Sequence, residues 1–230
     1  MGAENPPNQD SAVQQVQRVI ERLVREGSVV ASSDGTEHSI FPVAVSAKEG
    51  EALLNWVSRE GAAQTIEIGL GYGFSALHIC EGLLLNGNPV VRHVVLDPAQ
   101  AVRFSDCGLQ VLEEARVRQL VEHHAEVSEI ALPLFLKEGR SFDLGFVDGN
   151  HRFDYVFLDL FYLGRLVRSG GVVILDDYNL PGIKRAVSFF VTNRGWAIEE
   201  TSPRTDEHQW VVLRTARQAT EGDFRYFVEF

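Results

Sequence analysis

Five short stretches carry the polar chemistry of this sequence, and each follows an apolar run. They are Glu67-Ile-Gly-Leu-Gly-Tyr-Gly-Phe-Ser75, Leu96-Asp97-Pro98, Glu122-His123-His124-Ala125, Val147-Asp148-Gly149-Asn150-His151 and Leu175-Asp176-Asp177-Tyr178-Asn179. Gly69, Gly71 and Gly73 alternate, so backbone amides there can approach a ligand without side-chain obstruction. A dinucleotide loop of the G-x-G-x-x-G kind would need glycine where Phe74 stands. Asp97 lies further along, where a carboxylate can accept two ribose hydroxyls. Together these features suit a nucleoside held by its ribose, with no strong pyrophosphate requirement. Without a ligand they would be a tight strand-to-helix turn.

Asp148, Asp176 and Asp177 pose a second problem. They end two runs that become neighbours in a sheet, about 4.8 Å apart. Converging carboxylates repel, and a proton or a cation relieves them. A hard divalent ion such as Mg²⁺, taking oxygen ligands and keeping waters, is the natural partner. The alternative is that Asp148 and Asp176 bind backbone amides after their strands. His151 is the candidate general base, since an ordinary imidazole takes up a proton near neutral pH. Its alternative is packing at a helix start. His78, His93 and His208 read as residues of a helix, a strand and a hairpin loop.

The elements that position these groups are legible as periodicity. Residues 1–10 hold two prolines and no apolar period, and read as a disordered leader. Val13, Val16, Ile20, Leu23 and Val24 predict an amphipathic helix from Ser11 to near Gly27. Ser32-Ser33-Asp34-Gly35 is a turn. Ser46 with Glu49 forms a capping box that opens a second helix. From Gly61 onward strands and helices alternate. Strands are expected at 65–68, 90–96, 117–121, 142–147 and 171–175. Helices are expected at 75–85, 108–116, 127–136, 153–167 and 183–193. That alternation implies a parallel sheet with helices on both faces. The stretches from Trp196 and from Gln209 lack a helix between them, so they must pair antiparallel at one edge. The expected division is a leader (1–10), an N-terminal helical extension (11–60), one ligand-binding domain (61–215) and a tail (216–230).

Composition narrows the classes. Among 230 residues, 21 Lys and Arg against 32 Asp and Glu give a formal net charge of −11, which argues against duplex nucleic acid as a partner. No apolar run approaches the roughly 20 residues of a membrane helix, and the first residues lack a secretory pattern. Cys80 and Cys107 stand far apart, which excludes a zinc-knuckle spacing and suits a reducing cytoplasm.

In order and spacing, Glu67-Ile-Gly-Leu-Gly-Tyr-Gly-x-Ser75, Val95-Leu-Asp97, Phe142 to His151 and Ser169 to Asp177 resemble the class I S-adenosylmethionine-dependent methyltransferases, over about residues 45 to 215. The nearest resemblance is to the O-methyltransferase branch with the catechol and macrolide-sugar enzymes. It implies a Rossmann-like, doubly wound α/β fold: a seven-stranded sheet, mostly parallel, with an antiparallel C-terminal strand. It implies that Glu67 and the Gly69, Gly71, Tyr72 and Gly73 backbone surround the methionine part of S-adenosylmethionine, that Ser75 fixes its carboxylate, and that Asp97 with Pro98 holds the ribose. His124 and Ala125 would lie by the adenine. The family often has Gly followed by Asp or Ser there. Asp148, Asp176 and Asp177 would be the metal ligands, and Asp148 would also border the cofactor. The sugar-type enzymes use an acid two residues beyond the first metal ligand. Asn150 stands there and cannot be a base, so either His151 takes that role or the metal held by Asp148 does the activation alone; His151 and Asp148 are the catalytic candidates. The resemblance thus predicts methyl transfer to a hydroxyl of a small molecule. An N-methyltransferase without metal and a non-catalytic nucleoside-binding protein are the alternatives. A nicotinamide-dependent oxidoreductase is disfavoured by Phe74. The first helix could cover its own domain or that of a second copy.

Overall fold

The computed structural model describes residues 9–205, 208–217 and 225–230. The expected leader therefore lies, for residues 1–8, outside the described residues, as do residues 218–224 of the expected tail. The chain divides into two compact units.

One unit comprises the chain up to Ala63, Gly71–His93 and Ala99–Glu122. Its helices are α1 (Gln9–Glu26), α2 (Ala47–Arg59), α3 (Phe74–Leu85), α4 (Gln100–Arg103) and α5 (Cys107–Glu114). α1 starts two residues before the expected Ser11, so Gln9 and Asp10 are helical and not leader. Its Val13, Val16, Val19 and Leu23 stripe is buried, as the three-and-four spacing requires. Ser46 caps α2 by accepting the Glu49 amide at 3.2 Å. α2 and α3 approach closely because glycines stand at the crossing. A β-carbon on Gly82 would lie 2.8 Å from Val57 Cγ1, and one on Gly50 would lie 2.4 Å from the His78 ring. A hairpin of β1 (Ser28–Val30) and β2 (Glu37–Ser39) follows α1. Strands of three residues carry too little pattern to be expected from sequence.

The other unit comprises Gln64–Leu70, Val94–Pro98 and the chain from His123 on. It holds β3 (Gln64–Ile68), most of β4 (Arg92–Leu96), half of β5 (Val121–His124), α6 (Ser128–Lys137), β6 (Phe142–Val147), α7 (Phe153–Leu166), β7 (Val167–Leu175), α8 (Pro181–Arg194), β8 (Ala197–Thr201) and β9 (Val211–Arg214). The seven-stranded sheet runs β5-β4-β3-β6-β7-β9-β8 and is mostly parallel, with helices around it. β3 pairs parallel with β6, and β6 with β7. β9 inserts antiparallel between β7 and β8. The hairpin predicted at the edge is therefore present, with its second strand inside. Ile66, Ile68, Val94, Leu96, Val147, Val173 and Leu175 of the strands pack with Leu132, Phe135, Leu160, Leu163, Val187 and Phe190 of α6–α8. These near-continuous apolar runs are what a covered parallel sheet demands.

One strand lies elsewhere than expected. Residues 117–121 read as apolar, yet Arg118–Leu120 is a 3₁₀ turn and β5 runs from Val121 to His124. An edge strand can afford Glu122, His123 and His124 because one side lacks a neighbour. No helix among the described residues is long and apolar enough to cross a membrane.

Candidate active site

The ends of the parallel strands are laced together one residue beyond each ladder. Gly69 N donates to Leu96 O (2.9 Å), Asp97 N to His124 O (3.1 Å), Asp148 N to Ile68 O (2.8 Å) and Asp176 N to Val147 O (3.1 Å). The first residue after each of β3, β4, β6 and β7 is thereby fixed by its neighbour's last. This is why Gly69, Asp97, Asp148 and Asp176 share one rim of the second unit, outside the carboxyl ends of its strands.

Gly69 must be glycine. Its φ is +95°, and a β-carbon there would sit 2.2 Å from the Asp148 carbonyl oxygen. Leu70 N, next in the loop, donates to Asp97 Oδ2 at 3.1 Å. Asp97 is 4 % exposed, and Glu67 in the preceding strand is fully buried. His123 places Nε2 3.0 Å from Asp97 O, and His124 packs edge-on against Phe135 at 4.9 Å between centroids. Pro98 and Ala125 are exposed beside them.

The loop continues into the first unit. Gly71 (φ +52°) and Gly73 (φ +78°) also adopt left-handed backbone. A β-carbon on Gly71 would meet nothing within 4 Å, whereas one on Gly73 would lie 2.8 Å from Gly108 O. Gly71 thus borders space and Gly73 serves packing. Tyr72 stacks edge-on with Phe104 and tilts against His38. Phe41 packs edge-on against Phe74. Ser75 is buried in the first turn of α3. Gln100 Nε2 donates to Gly71 O at 2.7 Å, a support that the sequence reading did not anticipate.

The acids end their strands as predicted but do not converge. No choice of one oxygen each from Asp148, Asp176 and Asp177 brings all three within 4.8 Å of one another. His151 stands between two of them, with Nδ1 2.8 Å from Asp177 Oδ2 and Nε2 3.3 Å from Asp148 Oδ1. Asp176 turns away: its Oδ1 accepts the Asp177 amide, and its Oδ2 lies 3.8 Å from His208 Nδ1. Asp177 itself has φ +53°. An imidazole thus lies between Asp148 and Asp177 in this arrangement.

Electrostatics follow from this geometry. Burial, with Asp176 and Glu67 nearby, raises the proton affinity of Asp148, and the bond to His151 opposes the rise. Bonds to Asp148 and then to Asp177 push the His151 pKa well above that of an ordinary imidazole. The same contact holds the Asp177 carboxyl below its usual range. Both contacts favour the protonated form of the His151 ring. His208 was passed over as a loop residue. Its approach depends on how the β8–β9 connection returns over β7, which spacing cannot reveal.

Residues 66–178 match a family model described as a methyltransferase domain. No curated protein matches the sequence. Among solved structures, the chain is similar to the O-methyltransferase TomG from Streptomyces achromogenes, described in complex with SAM, at 20% identity over 93% of this chain and 91% of that one, with a TM-score of 0.65. It is similar to an O-methyltransferase from Bacillus cereus in complex with SAH, at 18% identity over 91% and 92%, with a TM-score of 0.65. It is also similar to the SAH-bound methyltransferase PaMTH1 of Podospora anserina, at 16% identity over 94% and 99%, with a TM-score of 0.63. Residues 66–178 thus match a methyltransferase-domain model, and the chain shares its fold with these methyltransferase structures.

Proposed function

We propose that this protein transfers the methyl group of S-adenosylmethionine to a hydroxyl oxygen of a small molecule. The observation that carries the proposal is the laced rim, where Gly69 admits only backbone and the buried Asp97 grips the Leu70 amide. Glu67, Gly69 and Asp97 would hold the cofactor, and Gly71, Tyr72, Gly73 and Ser75 keep the role that the resemblance implies for them. Pro98, His124 and Ala125 would border its ribose and adenine. The residues fit such a ligand: the buried Asp97 carboxylate suits ribose hydroxyls, and Gly69 beside it presents backbone alone.

S-adenosylmethionine supplies an electrophilic methyl on a sulfonium. The acceptor oxygen forms the new C–O bond as the S–CH₃ bond breaks in line, its electron pair passing to sulfur. Holding both reactants in near-attack geometry can remove several kcal/mol of barrier, up to about 7–11 at best. The acceptor's proton goes to Asp148. Burial and the neighbouring acids make Asp148 a stronger proton acceptor than an exposed carboxylate. His151 orients Asp148 and offsets the charge of Asp177. No step in this scheme passes through a divalent ion. Cys80 and Cys107 are buried free thiols, which supports a reducing, cytoplasmic setting.

Calorimetry with S-adenosylhomocysteine and with NAD tests the reading. Binding of the first at micromolar levels and not of the second supports it, and the reverse refutes it. Methylation of amines instead of hydroxyls across an acceptor panel, or cofactor binding without any turnover, would replace the O-methyl assignment.

A further inference from the structure

We propose that one stripe of α8 is a docking site for an aromatic peptide, and that its occupant is the chain's own segment Arg225–Phe230, held as a releasable hook. Arg185, Phe189 and Asn193 stand at every fourth position of α8, so they line a single stripe of the helix. Ile183, Ala186, Val187 and Phe190 form the buried face beside it. The stripe thus flanks the core and offers, in order, a cation, a ring and an amide.

Each of the three engages the segment. The Asn193 side chain takes both backbone groups of Val228: its Nδ2 donates to Val228 O at 2.9 Å, and its Oδ1 accepts the Val228 N–H at 2.8 Å. A primary amide carries donor and acceptor side by side, so it reads one residue's backbone as a neighbouring chain would. Two such bonds select a position along the segment, which a general apolar attraction does not. Phe230 meets Phe189 edge-on at 5.0 Å between centroids, and the Arg185 guanidinium lies 4.6 Å from the Phe230 centroid. Phe227 stands 6.5 Å from Phe189 and 5.9 Å from Phe230. Two rings three residues apart therefore close over one ring of α8, while Val228 between them is held one turn further along. Phe189 in turn packs on Phe157 of α7 at 4.9 Å, which roots the hook in the core of the second unit.

The hook is held at few points. Phe227 is 64 % exposed, Tyr226 59 % and Val228 39 %. Opening it uncovers little surface and costs far less than unfolding the unit. An opened hook leaves the stripe able to take the same sequence from outside, which makes the site measurable with a peptide.

The proposal stands apart from the methyl-transfer reading, and full-length protein tests it. With isotope-labelled valine, exchange of the Val228 amide is followed by nuclear magnetic resonance. It is expected to be at least about tenfold slower than in the free peptide and unchanged by low urea, as local opening requires. Asn193→Ala should remove this protection without altering the circular dichroism. Exchange at the free-peptide rate in the wild type, or protection that Asn193→Ala leaves intact, would overturn the proposal. An amidated, fluorescein-labelled peptide of sequence Arg-Tyr-Phe-Val-Glu-Phe is then titrated and its anisotropy read. Phe230→Ala keeps the stripe whole and weakens only the tethered competitor, so it should bind the peptide at least about tenfold more tightly than the wild type. Phe230→Ala/Asn193→Ala should lose that gain. Equal binding by the wild type and Phe230→Ala would overturn the proposal. If Asn193→Ala does not fold, Val228→Pro removes the donor from the segment instead, and it should gain peptide affinity as Phe230→Ala does; no gain would overturn the proposal. A wild-type dimer in sedimentation that Phe230→Ala dissociates would assign the occupant to a second copy and refute the assignment to the chain's own segment.

Discussion

Replacing Gly69 by alanine tests how tightly the rim is built. The added β-carbon would lie 2.2 Å from Asp148 O, 2.7 Å from Asp148 C and 3.1 Å from Gly149 Cα. All three are backbone atoms, so no side chain can swing aside. The carbonyl belongs to a residue whose amide is bonded to Ile68 O, which resists a shift. Alanine at φ +95° carries backbone strain of about 1–3 kcal/mol. Overpacking adds about 1–3 kcal/mol. The sum, about 2–6 kcal/mol, is a large part of the 5–15 kcal/mol that typically holds a domain folded. Gly71→Ala is the control: its φ is +52°, and its β-carbon would meet nothing within 4 Å. It should show only the strain. Urea denaturation followed by circular dichroism should place the Gly69→Ala midpoint well below that of Gly71→Ala, by about 1–3 kcal/mol in stability. Equal midpoints for the two variants would refute the close approach of Gly69 to the Asp148 backbone.

Three further outcomes are expected. Asp97→Ala should weaken S-adenosylhomocysteine binding by about 2 kcal/mol or more, roughly thirtyfold, through loss of charge-assisted bonds to ribose, and calorimetry measures this. His78 is buried, its ring nitrogens lack hydrogen-bond partners among the described residues, and burial lowers its pKa to about 4. Its unfolded form takes a proton near pH 6.5, so stability is lost as pH falls from 6.5 towards 4. Urea midpoints should reveal a loss of about 2 kcal/mol at pH 5 that His78→Phe abolishes. Asp159 of α7 is 1 % exposed, and burial raises its pKa to about 7 against a bond from Ser128. The folded state therefore holds its proton longer, and stability falls as pH rises from the unfolded value through 7. Asp159→Asn should remove about 2–3 kcal/mol of that decline between pH 5 and 8, and a flat wild-type profile over that range would contradict it.

What the sequence revealed was set by where the physics is local. β3, β6 and β7 were legible because strands covered on both faces must be continuously apolar. β5 was misplaced because an edge strand is free of that demand, and Val117, Leu120 and Val121 imitate a strand around a 3₁₀ turn. The β1–β2 hairpin was invisible at three residues per strand. The acids were found because parallel strands deliver their next residues to one side. Their contacts with His151 were not, since the His151–Asp177 contact depends on register between strands and on the left-handed backbone of Asp177. His208 was missed for the same reason: the hairpin loop that brings it near Asp176 has no local signature.

The central claim is that the rim formed by Gly69 and Asp97 grips the nucleoside of a sulfonium cofactor. Isothermal titration of the wild-type protein with S-adenosylhomocysteine tests it most directly. The account predicts one site of micromolar affinity that Asp97→Asn weakens and that neither EDTA nor Mg²⁺ alters. No heat of binding, or affinity that Asp97→Asn leaves untouched, would contradict it.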